Sequence, residues 1–343
     1  LSKRLMIVSY PLNDMSALEQ ARAVSPDFEI AYIPVNLPGD ALRRFAGGTR
    51  ETLQDLTPLF GQELLDRLPE AEILYGLYFP VDVLDRAPKL KWIANIGSGT
   101  EQYRALGILE SPVQLTSAKG VAARAIAEFA MAQMLMLTKN FHNRLRLQMQ
   151  SQWKRVPQGD LYGQTLGIVG LGEIGTHLAR FAKAFDMRVL ATRRRAGGEL
   201  PPNVDAMYPV GELRAMLAQC DVAAVTIALT ADTHGLIGRD ELAVMKKSAF
   251  LVNVARGEVI DEPALIEALK NEVIAGAALD VFVQEPLPKD SPLWGLPNVI
   301  LSPHNAVTLT GYPEATFNRF VENFRRYVRG EPLQQVVDPQ HAY

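Results

Sequence analysis

Short apolar runs, punctuated by Gly, Pro, Asn and Ser, recur along the chain, and between them apolar positions fall at helical spacing. In the first third, 5–8, 29–33, 73–75, 91–96 and 113–116 read as strands, and 16–24 and 49–68 read as helices. Strands that alternate with helices predict βαβ units and a parallel sheet. The Pro- and Gly-rich stretch 34–48 predicts a loop. A long helix is expected over 122–150. It is apolar on more than one face (Ala127, Phe129, Met131, Met134, Leu135), the pattern of a helix buried on several sides, between domains or at a dimer interface. From residue 166 the alternation resumes, with strands expected over 166–169, 189–191, 222–227, 250–253, 275–279 and 299–301. Six such strands are what a complete dinucleotide fold requires. A last amphipathic stretch, 313–329, is expected to pack back on the first domain.

Composition narrows the function classes. The chain has 343 residues, 48% hydrophobic and 21% charged, which points to two globular domains with sizeable cores. A net charge of -3 gives no electrostatic footprint for nucleic acid or an anionic membrane. No apolar run approaches the length of a membrane span, and the apolar part of the N-terminus is too short for a signal-peptide core and reads as a first strand. One cysteine, Cys220, excludes an internal disulfide and fits a reducing compartment, the cytoplasm. His142, His177, His234 and His341 have no metal-ligand spacing with one another or with Cys220, so no metal is expected.

The strand at 166–169 runs into Gly170-Leu171-Gly172-Glu173-Ile174-Gly175 and then into a helical pattern. In that context the first glycine permits a tight turn, the second lets backbone approach a pyrophosphate, and the third allows helix and strand to pack closely. The phosphates would rest on free N–H groups at the positive helix end. An acidic residue ending the next strand would bind the ribose of NAD. Here that strand runs into Thr192-Arg193-Arg194-Arg195 instead, with no carboxylate. Arginines suit a 2′-phosphate, so NADP is the preferred expectation and NAD the alternative. A Gly-rich turn without ligand and a solvated basic loop are the bland readings.

Three residues near strand ends carry candidate chemistry. Arg256 follows Asn253-Val254-Ala255, Glu285 precedes Pro286, and His304 follows Ser302-Pro303. Each alone reads as structural. Together, after a dinucleotide turn, they suit reduction of a 2-oxo acid. The alkoxide left by hydride transfer needs a proton, which histidine donates near neutral pH. A carboxylate beside it favours the imidazolium and fixes its orientation. An arginine grips the substrate carboxylate and polarises the carbonyl.

With these residues in place, the chain resembles the D-isomer-specific 2-hydroxyacid dehydrogenase family. The likeness runs through Leu90-Lys91-Trp92-Ile93, the glycine turn, Thr233-His234-Gly235-Leu236-Ile237, Asn253 to Gly257, Leu279-Asp280-Val281-Phe282, Glu285-Pro286-Leu287-Pro288 and Ser302-Pro303-His304. The resemblance implies an α/β architecture in which a Rossmann domain (118–305) is inserted in a flavodoxin-like substrate domain (1–117), with 306–343 returning to the latter. It implies that Arg256 binds substrate, that Glu285 pairs with the proton donor His304, and that Asp280 contacts the nicotinamide carboxamide. Ala228, Thr233, Val254, Ala255, Asn305 and Ala306 would border the cofactor. Main-chain groups at Gly76-Leu77-Tyr78 and Gly97-Ser98-Gly99 would hold the substrate carboxylate. A homodimer with the helix after residue 120 in its interface is also implied.

The chain departs from the family pattern at Ala228, where a proline is usual, at Asn305, where small residues are common, and at Asp186, where glycine is usual. Asp tolerates left-handed backbone, so the fold should survive there. The leading expectation is an NAD(P)H-dependent reductase of a small 2-oxo acid, glyoxylate or hydroxypyruvate. The alternatives are a phosphoglycerate dehydrogenase-like enzyme and a dinucleotide-sensing, co-repressor-like binding module. An ending soon after the returning helix and the lack of a basic cluster in the first domain count against the former.

Overall fold

The computed structural model describes residues 3–38, 41, 50–100, 102–194, 198–307 and 311–338. Most of the loop expected over 34–48, the first residue of the helix expected over 49–68, Arg195 and His341 lie outside them. The chain forms two compact units, Leu1–Val121 with Leu309–Tyr343, and Ala122–Thr308. The second is therefore an insertion in the sequence of the first.

The first unit holds β1 (Arg4–Val8), α1 (Ser16–Arg22), β2 (Phe28–Tyr32), β3 (Ala71–Gly76), β4 (Trp92–Asn95) and β5 (Gln114–Thr116). All its strands pair in parallel in the order β2-β1-β3-β4-β5, the flavodoxin-like arrangement. The central β3 is buried along its whole length, as expected of a parallel strand covered on both faces.

The second unit holds α2 (Ala123–Thr138), α3 (Phe141–Met149), β6 (Thr165–Val169), α4 (Glu173–Lys183), β7 (Arg188–Arg193), β8 (Ala206–Pro209), β9 (Val222–Val225), β10 (Phe250–Asn253), α5 (Glu262–Lys270), β11 (Gly276–Leu279) and β12 (Val299–Leu301). Its sheet runs β12-β11-β10-β9-β6-β7-β8, again all parallel. That is the doubly wound order of a dinucleotide fold with one strand, β12, added at the edge. The chain then returns to the first unit as α6 (Tyr312–Val328). Phe317 and Phe320 of α6 pack on Tyr75 and Trp92 of its sheet, and Phe324 on Phe28, as its amphipathic pattern predicts. Glu72 in β3 receives hydrogen bonds from Arg4 and from the Tyr327 hydroxyl (2.6 Å), and so ties α6 to the sheet.

Three expectations are corrected. The sheet of the second unit has seven strands, not six. The missed β8 is an edge strand of half-buried residues ending in a proline, so it carries neither an apolar run nor alternation. The helix expected over 122–150 is two helices, because Asn140 adopts left-handed backbone (φ 55°) between α2 and α3. The helix expected over 49–68 is broken, with short helical pieces Arg50–Leu53 and Gln62–Arg67 separated by a 3-10 turn containing Pro58 and by Gly61 at φ 78°. Asp186 does take left-handed backbone, at φ 54°. Among the described residues, no helix is long and apolar enough to cross a membrane.

Candidate active site

In the second unit the strands are parallel, so their carboxyl ends lie along one edge of the sheet, where ligands of such folds bind. The glycine turn follows β6 at that edge. Gly170 has φ 96°, and a Cβ there would lie 2.7 Å from Ile227 Cα. A Cβ on Gly175 would lie 2.9 Å from the Gly170 carbonyl oxygen and from Ile168 Cγ2, so helix and strand could not close. Gly172, which caps α4, differs: a Cβ there meets nothing within 4 Å. Open space therefore adjoins the first turn of α4, whose N–H groups have no intrahelical acceptors. The turn is held from both sides. Gly170 N–H donates to Thr192 Oγ1 (3.0 Å), Leu171 N–H to the Thr192 carbonyl (2.9 Å), and Thr226 Oγ1 to the Gly170 carbonyl (2.7 Å). Thr192 is thus buried as a brace, while Arg193 and Arg194 beyond it are exposed. In the loop after β9, Thr233 Oγ1 donates to the Ala228 carbonyl (2.7 Å).

The loops after β10, β11 and β12 present the remaining candidates. Buried Asn253 shapes the first of them, accepting from Ala255 N–H (3.0 Å) and donating to the Arg256 carbonyl (2.9 Å). Gly257 lies against the backbone of Phe282 and Val283 with no room for a Cβ, which fixes the Arg256 loop beside the Glu285 loop. Glu285 Oε1 accepts the Phe282 N–H (3.0 Å) and its Oε2 lies 2.7 Å from His304 Nδ1. Burial raises the Glu285 carboxyl. The His304 hydrogen bond and charge, the Phe282 N–H and the Arg256 guanidinium outweigh that and hold it below the ordinary carboxylate range. Among the described residues, His304 Nε2 makes no hydrogen bond, and the ring is 41% exposed. The pair is therefore an oriented imidazole with its outer nitrogen available for proton transfer.

Asp280, at the end of β11, is 1% exposed. Its Oδ1 accepts from Ser302 Oγ (2.6 Å) and Asn305 N–H (3.1 Å), and its Oδ2 from Ala306 N–H (3.0 Å). The Asp280 carbonyl accepts the His304 N–H (2.8 Å). His304 itself has φ 50°. In the first unit, Asn95 wraps the loop after β4: its Oδ1 accepts Gly97 N–H (3.0 Å) and its Nδ2 donates to the Gly97 and Gly99 carbonyls (3.1 and 2.8 Å). The Tyr103 hydroxyl donates to the Leu77 carbonyl (3.0 Å) and pins the loop after β3, where Gly76 is buried and Leu77 and Tyr78 are half-buried.

A family model described as the D-isomer specific 2-hydroxyacid dehydrogenase NAD-binding domain matches residues 131–306. This chain belongs to the D-isomer specific 2-hydroxyacid dehydrogenase family. It is an oxidoreductase of that family, with a Rossmann NAD(P)-binding domain inserted in the substrate domain. It is 38% identical to a glyoxylate/hydroxypyruvate reductase B of Pectobacterium carotovorum, over 76% of this chain and 82% of that protein. It is 34% identical to a D-3-phosphoglycerate dehydrogenase of Methanocaldococcus jannaschii over 82% of this chain, but spans only 54% of that relative. Among solved structures it resembles an NADPH-dependent glyoxylate/hydroxypyruvate reductase of Sinorhizobium meliloti in complex with NADP and sulfate. There the TM-score is 0.79 at 25% identity, covering 99% of this chain and all of the other.

In this dehydrogenase-family chain the second unit brings together Arg256, Glu285, His304 and Asp280, which the sequence places up to 48 positions apart. The glycine turn stands at the same edge of the same sheet. Sequence reasoning missed two side chains behind the His304 loop, Ser302 and the buried Gln133 of α2. Ser302 appears only as part of a motif. A polar residue inside the apolar run Phe129 to Leu137 is the signal in the sequence for Gln133.

Proposed function

We propose that this protein is an NADPH-preferring reductase of a small 2-oxo acid, with glyoxylate and hydroxypyruvate as the leading substrates. The observation that carries this reading is the His304–Glu285 pair, held at 2.7 Å at the strand ends beside Arg256. The residues fit a dinucleotide, since the open face at Gly172 leaves the α4 N-terminus accessible to a pyrophosphate. The N–H groups of Glu173, Ile174 and Gly175 would hold that group, with Gly170, Leu171 and Gly172, whose own N–H groups are bonded within the turn, shaping the surface it rests on. Arg193 and Arg194 would take the ribose and its 2′-phosphate, while Thr192, expected there as well, is buried and braces the glycine turn behind them. Ala228 and Thr233 would border the adenine side, and Val254, Ala255, Asp280, Asn305 and Ala306 the nicotinamide side. The reduced cofactor, when bound, supplies the hydride.

The chain's own residues do the rest. His304 gives a proton from Nε2 to the developing alkoxide, and Glu285 at Nδ1 favours the imidazolium that makes this possible. Arg256 grips the substrate carboxylate and polarises the 2-oxo group. In the first unit, main-chain groups at Gly76, Leu77, Tyr78, Ser98 and Gly99 are the proposed contributors to substrate binding, the Gly97 N–H being taken by Asn95 Oδ1. A homodimer is supported by Phe141, Leu145, Met149, Trp153 and Tyr162, large apolar side chains left exposed along 141–162. The lone buried thiol of Cys220 suits the cytoplasm.

The test mixes the protein with NADPH or NADH and a panel of 2-oxo acids, and follows loss of the reduced nicotinamide absorbance. Turnover with NADPH and a short 2-oxo acid supports the reading. Tight NADPH binding with no turnover on any acid would replace it with a dinucleotide-sensing binding module.

A further inference from the structure

The His304 loop is held by more than its pairing with Glu285. Behind it, Asp280 clamps Ser302, Asn305 and Ala306, as described above. The clamp is itself supported from a different element. Gln133, on the face of α2 that packs against the sheet, is 3% exposed, and its Nε2 donates to Ser302 Oγ at 3.2 Å. The Ser302 hydroxyl donates to Asp280 Oδ1 at 2.6 Å, much the nearer of its two acceptors, the Leu279 carbonyl lying at 3.5 Å. The other end of the Gln133 amide gains nothing: among the described residues its Oε1 is buried without a hydrogen-bond partner. A buried amide with an unpartnered oxygen costs stability relative to an apolar side chain of similar size. Packing alone would favour leucine at this position of an Ala-, Met- and Leu-rich helix.

We infer that Gln133 and Ser302 are positioning residues for His304, acting through the chain Gln133 Nε2–Ser302 Oγ–Asp280 Oδ1. Neither reaches the reacting atoms. They fix the Asp280 carboxylate against the Asn305 and Ala306 N–H groups, and so fix the left-handed turn that sets the His304 ring on Glu285. This inference rests on the reductase reading for its activity arm only.

The test uses the Gln133→Leu and Ser302→Ala variants of the protein, with Ser302→Thr as the conservative return of the hydroxyl. Two quantities are read: kcat and KM for NADPH with glyoxylate, and the ring ¹⁵N signals of selectively labelled His304 in the protein without substrate. We expect each variant to lower kcat by about tenfold, as loss of orientation does, while KM for NADPH stays put, and to alter the His304 ring signals. Ser302→Thr recovers both. The thermal midpoint of Gln133→Leu is expected to hold or rise while its kcat falls, a divergence that a merely structural role would not produce. Wild-type His304 ring signals in both variants overturn the inference, whatever happens to turnover. If the wild-type protein reduces no 2-oxo acid, the reductase reading fails, and the ring signals alone still decide the positioning role.

Discussion

Arg193 gives the sharpest handle on cofactor choice. It is the last residue of β7, exposed, at the position where an NAD-binding domain would carry a carboxylate for the ribose hydroxyls. Two unit charges about 4 Å apart attract by about 4 kcal/mol at an effective dielectric near 20. Exposure and physiological salt bring a guanidinium–phosphate hydrogen bond at such a rim down to about 1.5 kcal/mol, the low end for hydrogen bonds to charged groups. Arg193→Ala should therefore cost about tenfold in kcat/KM for NADPH, with NADH nearly unaffected. Arg193→Asp adds a repulsion of similar size and supplies a ribose acceptor. The NADPH-to-NADH ratio should then swing by about 3 kcal/mol, on the order of a hundredfold. The assay is kcat/KM for each dinucleotide at saturating 2-oxo acid, repeated at low and high salt, with the larger swing expected at low salt. Equal losses for both dinucleotides would mean that Arg193 only supports the loop. A wild-type protein that uses NADH far better than NADPH would refute the reasoning outright.

Other consequences can be measured separately. Glu285→Gln keeps the shape of the His304 contact but removes its charge, and should lower kcat by about tenfold, since charge-assisted hydrogen bonds are roughly twice as strong as neutral ones. The Glu285 carboxyl lies below its ordinary value of 4.5 in the folded protein, so its stabilising contribution is complete above that value and lost as pH falls through the folded one. The urea-midpoint gap between wild type and Glu285→Gln should therefore close on acidification, and a gap that stayed constant would contradict the pairing. Glu72 follows the same sign. Burial pushes its carboxyl up, but Arg4, Tyr327 and Lys91 hold it at about 2, so Glu72→Gln should destabilise the protein near neutrality and lose its effect between about 4.5 and 2. Gly257→Ala places a methyl against the Phe282 carbonyl group and should cost about 2–3 kcal/mol in unfolding free energy, with activity falling as the Arg256 loop shifts. Wild-type stability there would show that the loop yields.

Much of this was legible in the chain because parallel strands leave a strong signal. Runs such as Leu166 to Val169 and Phe250 to Val252 are apolar throughout and are followed by small or polar residues, Gly170 and Asn253, at the ligand-binding edge. That placed Arg256, Glu285 and His304 at strand ends, and the structure brings Glu285 and His304 into contact. Periodicity says which face is buried, however, not which hydrogen bond a buried group makes. Asp280 was read toward the cofactor, yet three of its hydrogen bonds go inward to the His304 loop. β8 escaped notice because a half-buried edge strand needs no apolar run. The break at Asn140 was hidden because apolar spacing continues through Phe141 and Leu145, while one left-handed residue redirects the axis.

The central claim is that His304 supplies the proton in an NADPH-dependent reduction. The direct measurement is kcat with glyoxylate and NADPH for wild type and His304→Ala, alongside NADPH affinity from nicotinamide fluorescence. Removing a general acid should cost about 10²- to 10⁴-fold in kcat and leave NADPH affinity within experimental error of wild type, because the glycine turn and Arg193 are untouched. Full activity in His304→Ala would contradict the account.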